Sequence, residues 1–132
     1  MPGQNRLETN MTFDEHIGMT STGYLHEARI VIEEHHKNPT GNINGGVIIS
    51  LADNLATGCA GDHWSSKFND EGFMVGIDLH AVMLSNQLGG TIVARSEPVR
   101  VGKRVTVIRT IVTGTNDRLL AEITTTHIPV KS

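Results

Sequence analysis

The feature that most constrains this chain is one stretch, Asn38-Pro39-Thr40-Gly41-Asn42-Ile43-Asn44-Gly45-Gly46-Val47-Ile48-Ile49-Ser50-Leu51-Ala52-Asp53. It runs from an Asn-Pro corner, through a glycine pair, into an apolar segment that carries one acid. Pro39 pushes Asn38 toward an extended conformation, so the corner precedes the helix. Asn42 and Asn44 are good helix caps, because their side-chain oxygens accept from the first free amides. Gly45 and Gly46 let another group approach those amides at the positive end of the helix dipole. Beyond them Val47, Ile48, Leu51, Ala52, Leu55, Ala56 and Cys59 leave most of the surface apolar, which predicts a buried helix ending near Gly61. Gly46, Ser50, Asp53, Thr57 and Gly61 recur every three or four positions and make one narrow seam of small or polar residues. Asp53 lies in the middle of it. A carboxylate on a buried helix is costly unless it has partners or a purpose. The plain reading is an acid that caps or pairs at a wet interface. The sharper one joins it to a glycine-opened helix N-terminus, an arrangement suited to stabilising an oxyanion.

The rest of the chain reads as β-structure around that helix. Gly23 to about Glu34 alternates, with Tyr24, His26, Ala28, Ile30 and Ile32 on one face, and predicts a strand. Phe73–Leu84, Thr91–Arg100, Lys103–Thr113 and Arg118–Ile128 supply four more. Gly102 and Gly114-Thr115-Asn116-Asp117 act as turns. Asp62 to Gly72 is expected to be a polar loop whose His63, Trp64 and Phe68 cover the body or a ligand mouth. The order, strand, long helix, then four strands with short turns, predicts an α+β layout with a four-strand antiparallel meander on the helix. Residues 1–132 form one expected domain, with 1–21 an arm or short helix anchored by Phe13, Ile17 and Met19.

Composition narrows the function. A formal net charge of −3 and the absence of a basic run argue against a nucleic-acid binder. The single cysteine, Cys59, excludes an internal disulfide framework and suits a reducing, cytoplasmic setting. Met1 to Asn10 is polar and lacks a signal-peptide core, and no apolar stretch approaches the ~20 residues that span a bilayer. Of seven histidines only His35 and His36 are close neighbours, and adjacent strand residues point to opposite faces, so no metal site is expected. Phosphate-loop spacings and the Gly-x-Ser-x-Gly elbow are absent. The carboxylate remains.

Gly45 and Asp53 are eight residues apart, about 12 Å along one straight helix. Work on a carbonyl held by the Gly45 or Gly46 amide needs contacts near ~3 Å. If both groups act on one carbonyl, they come from two copies of the chain, so a homodimer with two interface sites is expected.

The stretch Asn38 to Asp53, with Val75-Gly76-Ile77-Asp78-Leu79 after it, resembles the hotdog-fold acyl-CoA thioesterases of the phenylacetyl-CoA (PaaI-like) branch. The similarity in length, element order and motif spacing covers about Gly23 to Ile128. That branch shows a polar residue before the turn, His-Gly-Gly at the helix start and an Asp nine residues after the His. The matching positions are Asn38, Asn44-Gly45-Gly46 and Asp53. The resemblance implies an antiparallel sheet of five or six strands wrapped around one long helix, in dimers and often tetramers. It implies a Gly45 amide that polarises the thioester carbonyl and an Asp53 of the other subunit that activates water or attacks directly. Asn38 would hold the thioester or the water. No cofactor is implied, coenzyme A being part of the substrate. Asn44 departs from the usual His and cannot titrate; Gly76 stands where several relatives carry a hydroxyl that assists the water. Either departure is expected to slow hydrolysis or shift substrate preference.

The substrate tail is expected along the seam, by Ser50 and Thr57, and near Trp64, Phe68 or Met83. Arg100, Lys103 and Arg104 are the candidate cations for coenzyme A phosphates, against a solvated hairpin tip. Two other readings stand beside hydrolysis: a non-catalytic acyl-CoA-binding protein, and an enoyl-thioester hydratase, which would want a His paired with the acid.

Overall fold

The apolar run after Gly45 folds as one helix in the computed structural model, which describes residues 11–130 of the chain. The expectation for Met1 to Asn10 falls outside the described residues. In chain order the elements are α1 (Phe13–His16), β1 (Thr20–Ser21), β2 (Glu27–Val31), α2 (Gly45–Phe68), β3 (Phe73–Met83), β4 (Thr91–Val101), β5 (Thr106–Thr113) and β6 (Leu119–Val130), with single 3-10 turns at Glu34–His36 and Thr115–Asp117. Asn44 caps α2 as its sequence predicts, its side-chain oxygen accepting from the Gly46 N–H.

The helix overruns its expected end. Gly61 does not stop it; α2 continues to Phe68 and ends on Asn69 in the left-handed region, φ 47°. Glycine inside a helix costs only about 1 kcal/mol against alanine. Trp64, one turn further on, is fully buried and donates its indole N–H to the Lys103 carbonyl at 3.0 Å, which outweighs that cost. Trp64 therefore belongs to the core and covers no mouth, and the expected loop shrinks to the residues around Asp70.

All six strands lie in one antiparallel sheet of order β1-β2-β4-β5-β6-β3, curled around α2. This is the hotdog fold. The meander is shorter than expected, since only β4, β5 and β6 pair in succession. β3 crosses to the far edge and pairs with β6, while β4 pairs with β2. β5 and β6 alternate buried and half-buried residues, the mark of strands with one face on a core. Ile48, Leu51 and Ala52 of α2 meet Ile30, Ile92, Val112 and Ile123 of the sheet; Ala56, Cys59, Ala60 and Trp64 meet Met74 and Ile108. Truncating Ile48 or Leu51, both fully buried, to Ala costs about 2–5 kcal/mol.

The strand expected from Gly23 is ordered as β only over Glu27–Val31, and His35-His36 lie in the 3-10 turn, not in a strand. His36 is a satisfied core histidine. Its Nε2 donates to the Ile17 carbonyl at 2.8 Å and its Nδ1 accepts from the Glu33 amide at 2.9 Å. It ties the α1 arm, whose Ile17 and Met19 pack on the core as expected, to the corner before α2. Phe13 stays exposed. Among the described residues no helix is long and apolar enough to cross a membrane.

Candidate active site

Asp53 sits in the third turn of α2, half-buried, beneath the edge strand β3. Its carboxylate looks into a cleft of about 340 Å³ lined by Asp53, Thr57, Gly76, Ile77, Asp78 and Leu79. The register of β3 on β6 slips between Gly76 and Asp78, and this bulge forms the cleft wall. The Thr57 hydroxyl is spent on its own helix, donating to the Asp53 carbonyl at 2.9 Å.

Opposite Gly76 in the ladder stands His127, a residue absent from the sequence-derived set. Its ring is buried. Nε2 shares a hydrogen bond with the Thr125 hydroxyl at 2.8 Å, while Nδ1 has no partner among the described residues. A buried polar atom left unpaired is uncommon and calls for a reason. A Cβ placed on Gly76 would lie 3.9 Å from Asp53 Oδ1 and 3.9 Å from His127 Nδ1. The missing side chain is thus the gap between acid and imidazole. Burial lowers the His127 pKa, and the negative charge of Asp53 partly opposes that shift. The signal was present in the sequence: β6 alternation puts Ile123, Thr125 and His127 on the inward face. Its register against Gly76 was not.

The remaining expected residues lie elsewhere. Asn44, Gly45 and Gly46 sit at the start of α2, about 12 Å from Asp53 along the axis, and Asn38 lies in the corner before it. The Asn38 side-chain oxygen accepts from the Thr40 amide at 3.0 Å, the Thr40 hydroxyl at 2.6 Å and the Asn42 amide at 3.2 Å, so it holds the corner and only its Nδ2 is left to act. The Gly46 amide is taken by Asn44 at 2.7 Å. The Gly45 amide, among the described residues, has no acceptor, and only the end of Met83 approaches the place of its Cβ, at 3.5 Å. Gly45 is therefore the free donor of the pair. Ser50 does not line the cleft.

Arg100, Lys103 and Arg104 line a separate hollow of about 310 Å³ at the β4–β5 turn. Lys103 is engaged: its ammonium lies 3.1 Å from Asp70 and 5.0 and 5.1 Å above the Trp64 and Phe68 rings. Arg100 and Arg104 have no ion pair among the described residues.

A second group of side chains gathers on another face of α2. His26, Cys59 and His63 each place one ligand atom within 4.8 Å of the others. Burial, then the charge of Asp62, pushes the Cys59 thiol up to about 11. Sequence alone hides this set, because a helix that ends at Gly61 leaves Cys59 and His63 on different elements. The continued helix puts them at i and i+4, on one face.

A six-strand sheet curled around one long helix defines a hotdog-fold protein. The chain belongs to the Thioesterase superfamily, whose sequence profile matches residues 40–121. No curated protein matches it in sequence. Among solved structures it is similar to a thioesterase from Haemophilus influenzae, at TM-score 0.83 and 22% identity, over 97% of this chain and 88% of that one. A Bacillus halodurans protein solved with CoA aligns at TM-score 0.77 and 19% identity, over 96% and 82%. A mutant thioesterase from Pseudomonas aeruginosa aligns at TM-score 0.74 and 17% identity, over 97% and 94%. At these identities the likeness is one of fold.

Proposed function

We propose that this chain is an acyl-CoA thioesterase of the PaaI-like branch, hydrolysing an acyl- or aryl-acyl-CoA to the free acid and coenzyme A in a two-fold homodimer. One observation carries the reading: the Asp53 carboxylate faces the Gly76 gap, with an unpaired imidazole nitrogen across it, in a cleft at the sheet edge. Among the described residues β3 has β6 on one side and no strand on the other, and Val75, Ile77, Leu79 and Met83 are exposed along it. A bare apolar edge is a template for pairing with another strand. A second copy paired along β3 closes the cleft and carries its own α2 start toward Asp53, spanning what one helix cannot. The pairing of two such dimers into a tetramer, and a cytoplasmic location, belong to the same proposal.

The thioester carbonyl then accepts from the Gly45 amide of one subunit. The partner subunit's Asp53 takes a proton from a water in the Gly76 gap, and that oxygen adds to the carbonyl carbon. His127 Nδ1 holds the water from the other side. When the tetrahedral intermediate collapses, the C–S bond breaks and the departing thiolate recovers the proton from Asp53. If Asp53 adds directly, the intermediate is a mixed anhydride; water opening it at the Asp53 carboxyl carbon in a single turnover in ¹⁸O water labels the enzyme, which the general-base route never does. Arg100 and Arg104 are the free cations for coenzyme A phosphates, with Lys103 held by Asp70. The Asn38 amide nitrogen and Asn44 border the thioester, and the tail runs past Ser50 and Thr57 toward Met83.

A panel of acyl-CoAs with a thiol reporter tests this. Asp53→Asn is expected to lower kcat by about 10²–10⁴-fold with the fold and dimer kept. An unchanged rate in that variant defeats the assignment. Tight acyl-CoA binding with no thiol release by the wild type would instead establish the non-catalytic binder, the reading favoured by a Gly46 amide already capped and a position 76 without hydroxyl.

A further inference from the structure

We propose that His26, Cys59 and His63 form a site for a divalent cation of the zinc class, separate from the cleft at Asp53. The two regions share no lining residue. α2 presents Cys59 and His63 one turn apart on one face, the spacing by which a helix offers two ligands to one ion. The third arrives from the loop entering β2. There His26 adopts φ 54°, in the left-handed region, and its ring stands 5.1 Å from that of His63, centroid to centroid. All three ligand atoms already lie within 4.8 Å of one another. Around a tetrahedral zinc, with bonds of about 2.0–2.3 Å, they would lie roughly 3.4 Å apart, so side-chain rotations of about 1 Å close the site.

Two further observations point the same way. Asp62 Oδ2 lies 2.9 Å from His26 Nε2 and supplies the carboxylate that would orient a metal-bound imidazole, one ring nitrogen on the acid and the other on the ion. The ion's two positive charges would be balanced by the Cys59 thiolate and the Asp62 carboxylate, the thiol proton passing to solvent. Both residues, with His26, border a cavity of about 610 Å³, which gives the ion a path in and leaves its fourth position to water. A thiolate with two imidazoles selects zinc-class ions over magnesium or calcium, which want oxygen. Held so, the ion would clamp the loop before β2 to the middle of α2.

The test titrates the chelator-stripped full chain with Co²⁺ alone. The expected result is a thiolate-to-cobalt charge-transfer absorption that saturates at one ion per chain and is displaced by Zn²⁺, with Zn²⁺ raising Tm. Cys59→Ser should abolish the absorption. Because Cys59 is buried and its serine could unfold the chain, Asp62→Asn and His63→Gln decide independently: loss of the orienting acid is expected to weaken affinity by about 10–100-fold, and loss of the ligand by at least as much. A folded wild type that shows no charge-transfer absorption, or a His63→Gln variant that binds Co²⁺ as tightly as the wild type, would overturn the proposal. Neither result touches the thioesterase reading, which uses none of these residues.

Discussion

Gly45→Pro isolates the one backbone donor on which the proposed chemistry turns. Gly45 is the first residue of α2, the position proline tolerates best, because its missing N–H has no helical acceptor and its fixed φ suits the turn. The preceding residue must be extended, and Asn44 already is, at φ −62° and ψ 128°. A side chain there meets only the flexible end of Met83. The Asn44 cap on Gly46 and the bond from the Val47 amide to the Asn44 carbonyl are untouched. Stability should therefore hold or rise by about 0.4–1 kcal/mol, through a stiffer unfolded chain. Loss of one oxyanion donor should lower kcat by about 10²–10³-fold, or about 2.7–4 kcal/mol of barrier. Thiol release from an acyl-CoA, read beside a melting curve, separates the two effects. The subunit claim follows from the same variant. When Gly45→Pro and Asp53→Asn chains are unfolded and refolded together in equal amounts, half the dimers are mixed, and each mixed dimer has one intact site. The mixture should recover about a quarter of the wild-type rate. A folded Gly45→Pro protein with kcat within about threefold of wild type would remove the amide from the mechanism, and a mixture as inactive as its parents would return both groups to one chain.

Gly76→Ala should fold well, since its Cβ would make ordinary contacts at 3.9 Å, and should gain about 0.5–1 kcal/mol of strand stability. The same methyl fills the gap in which a water needs hydrogen bonds of about 2.7–3.0 Å, so kcat should fall about 100-fold; a fully active Ala variant would show that no water is held there. His127 titrates below its ordinary 6.5 in the folded chain, chiefly through burial. As pH falls through that value the unfolded chain takes up a proton that the folded chain refuses, so stability is lost toward acid. Denaturant midpoints between about pH 7.5 and about pH 5 should fall in the wild type and fall less in His127→Gln, and parallel slopes would mean the ring is not protected from protonation.

The fold was largely legible because its signals are local. The cap at Asn44, the apolar surface from Val47 to Cys59 and the alternation of β5 and β6 each act within a few residues. Two errors were not local. The helix cost of Gly61 is visible in sequence and predicts a stop, whereas the burial of Trp64 that outweighs it depends on the Lys103 carbonyl, 39 positions away. Short turns favour neighbours, and so predict β3 beside β4. What sets it at the far edge is pairing with β6, and the segment from Ser85 to Gly90 bridges that distance with Asn86 bound to both the amide and the carbonyl of Ile43.

The same contrast decides how much of the site could be read. Asp53 and the glycine pair were legible because one helix carries them, and its rise already separates them. Ending that helix too early hid the Cys59–His63 pair, so one boundary error erased a candidate site. His127 was hidden for a different reason, since only the β3–β6 register brings it opposite Gly76. Read alone, Gly76 was a hydroxyl lost. Set between the carboxylate and an unpaired imidazole nitrogen, it is the space the two share. The meaning of a residue without a side chain lies in what its neighbours leave unfilled, and that becomes visible only once the strands have found each other.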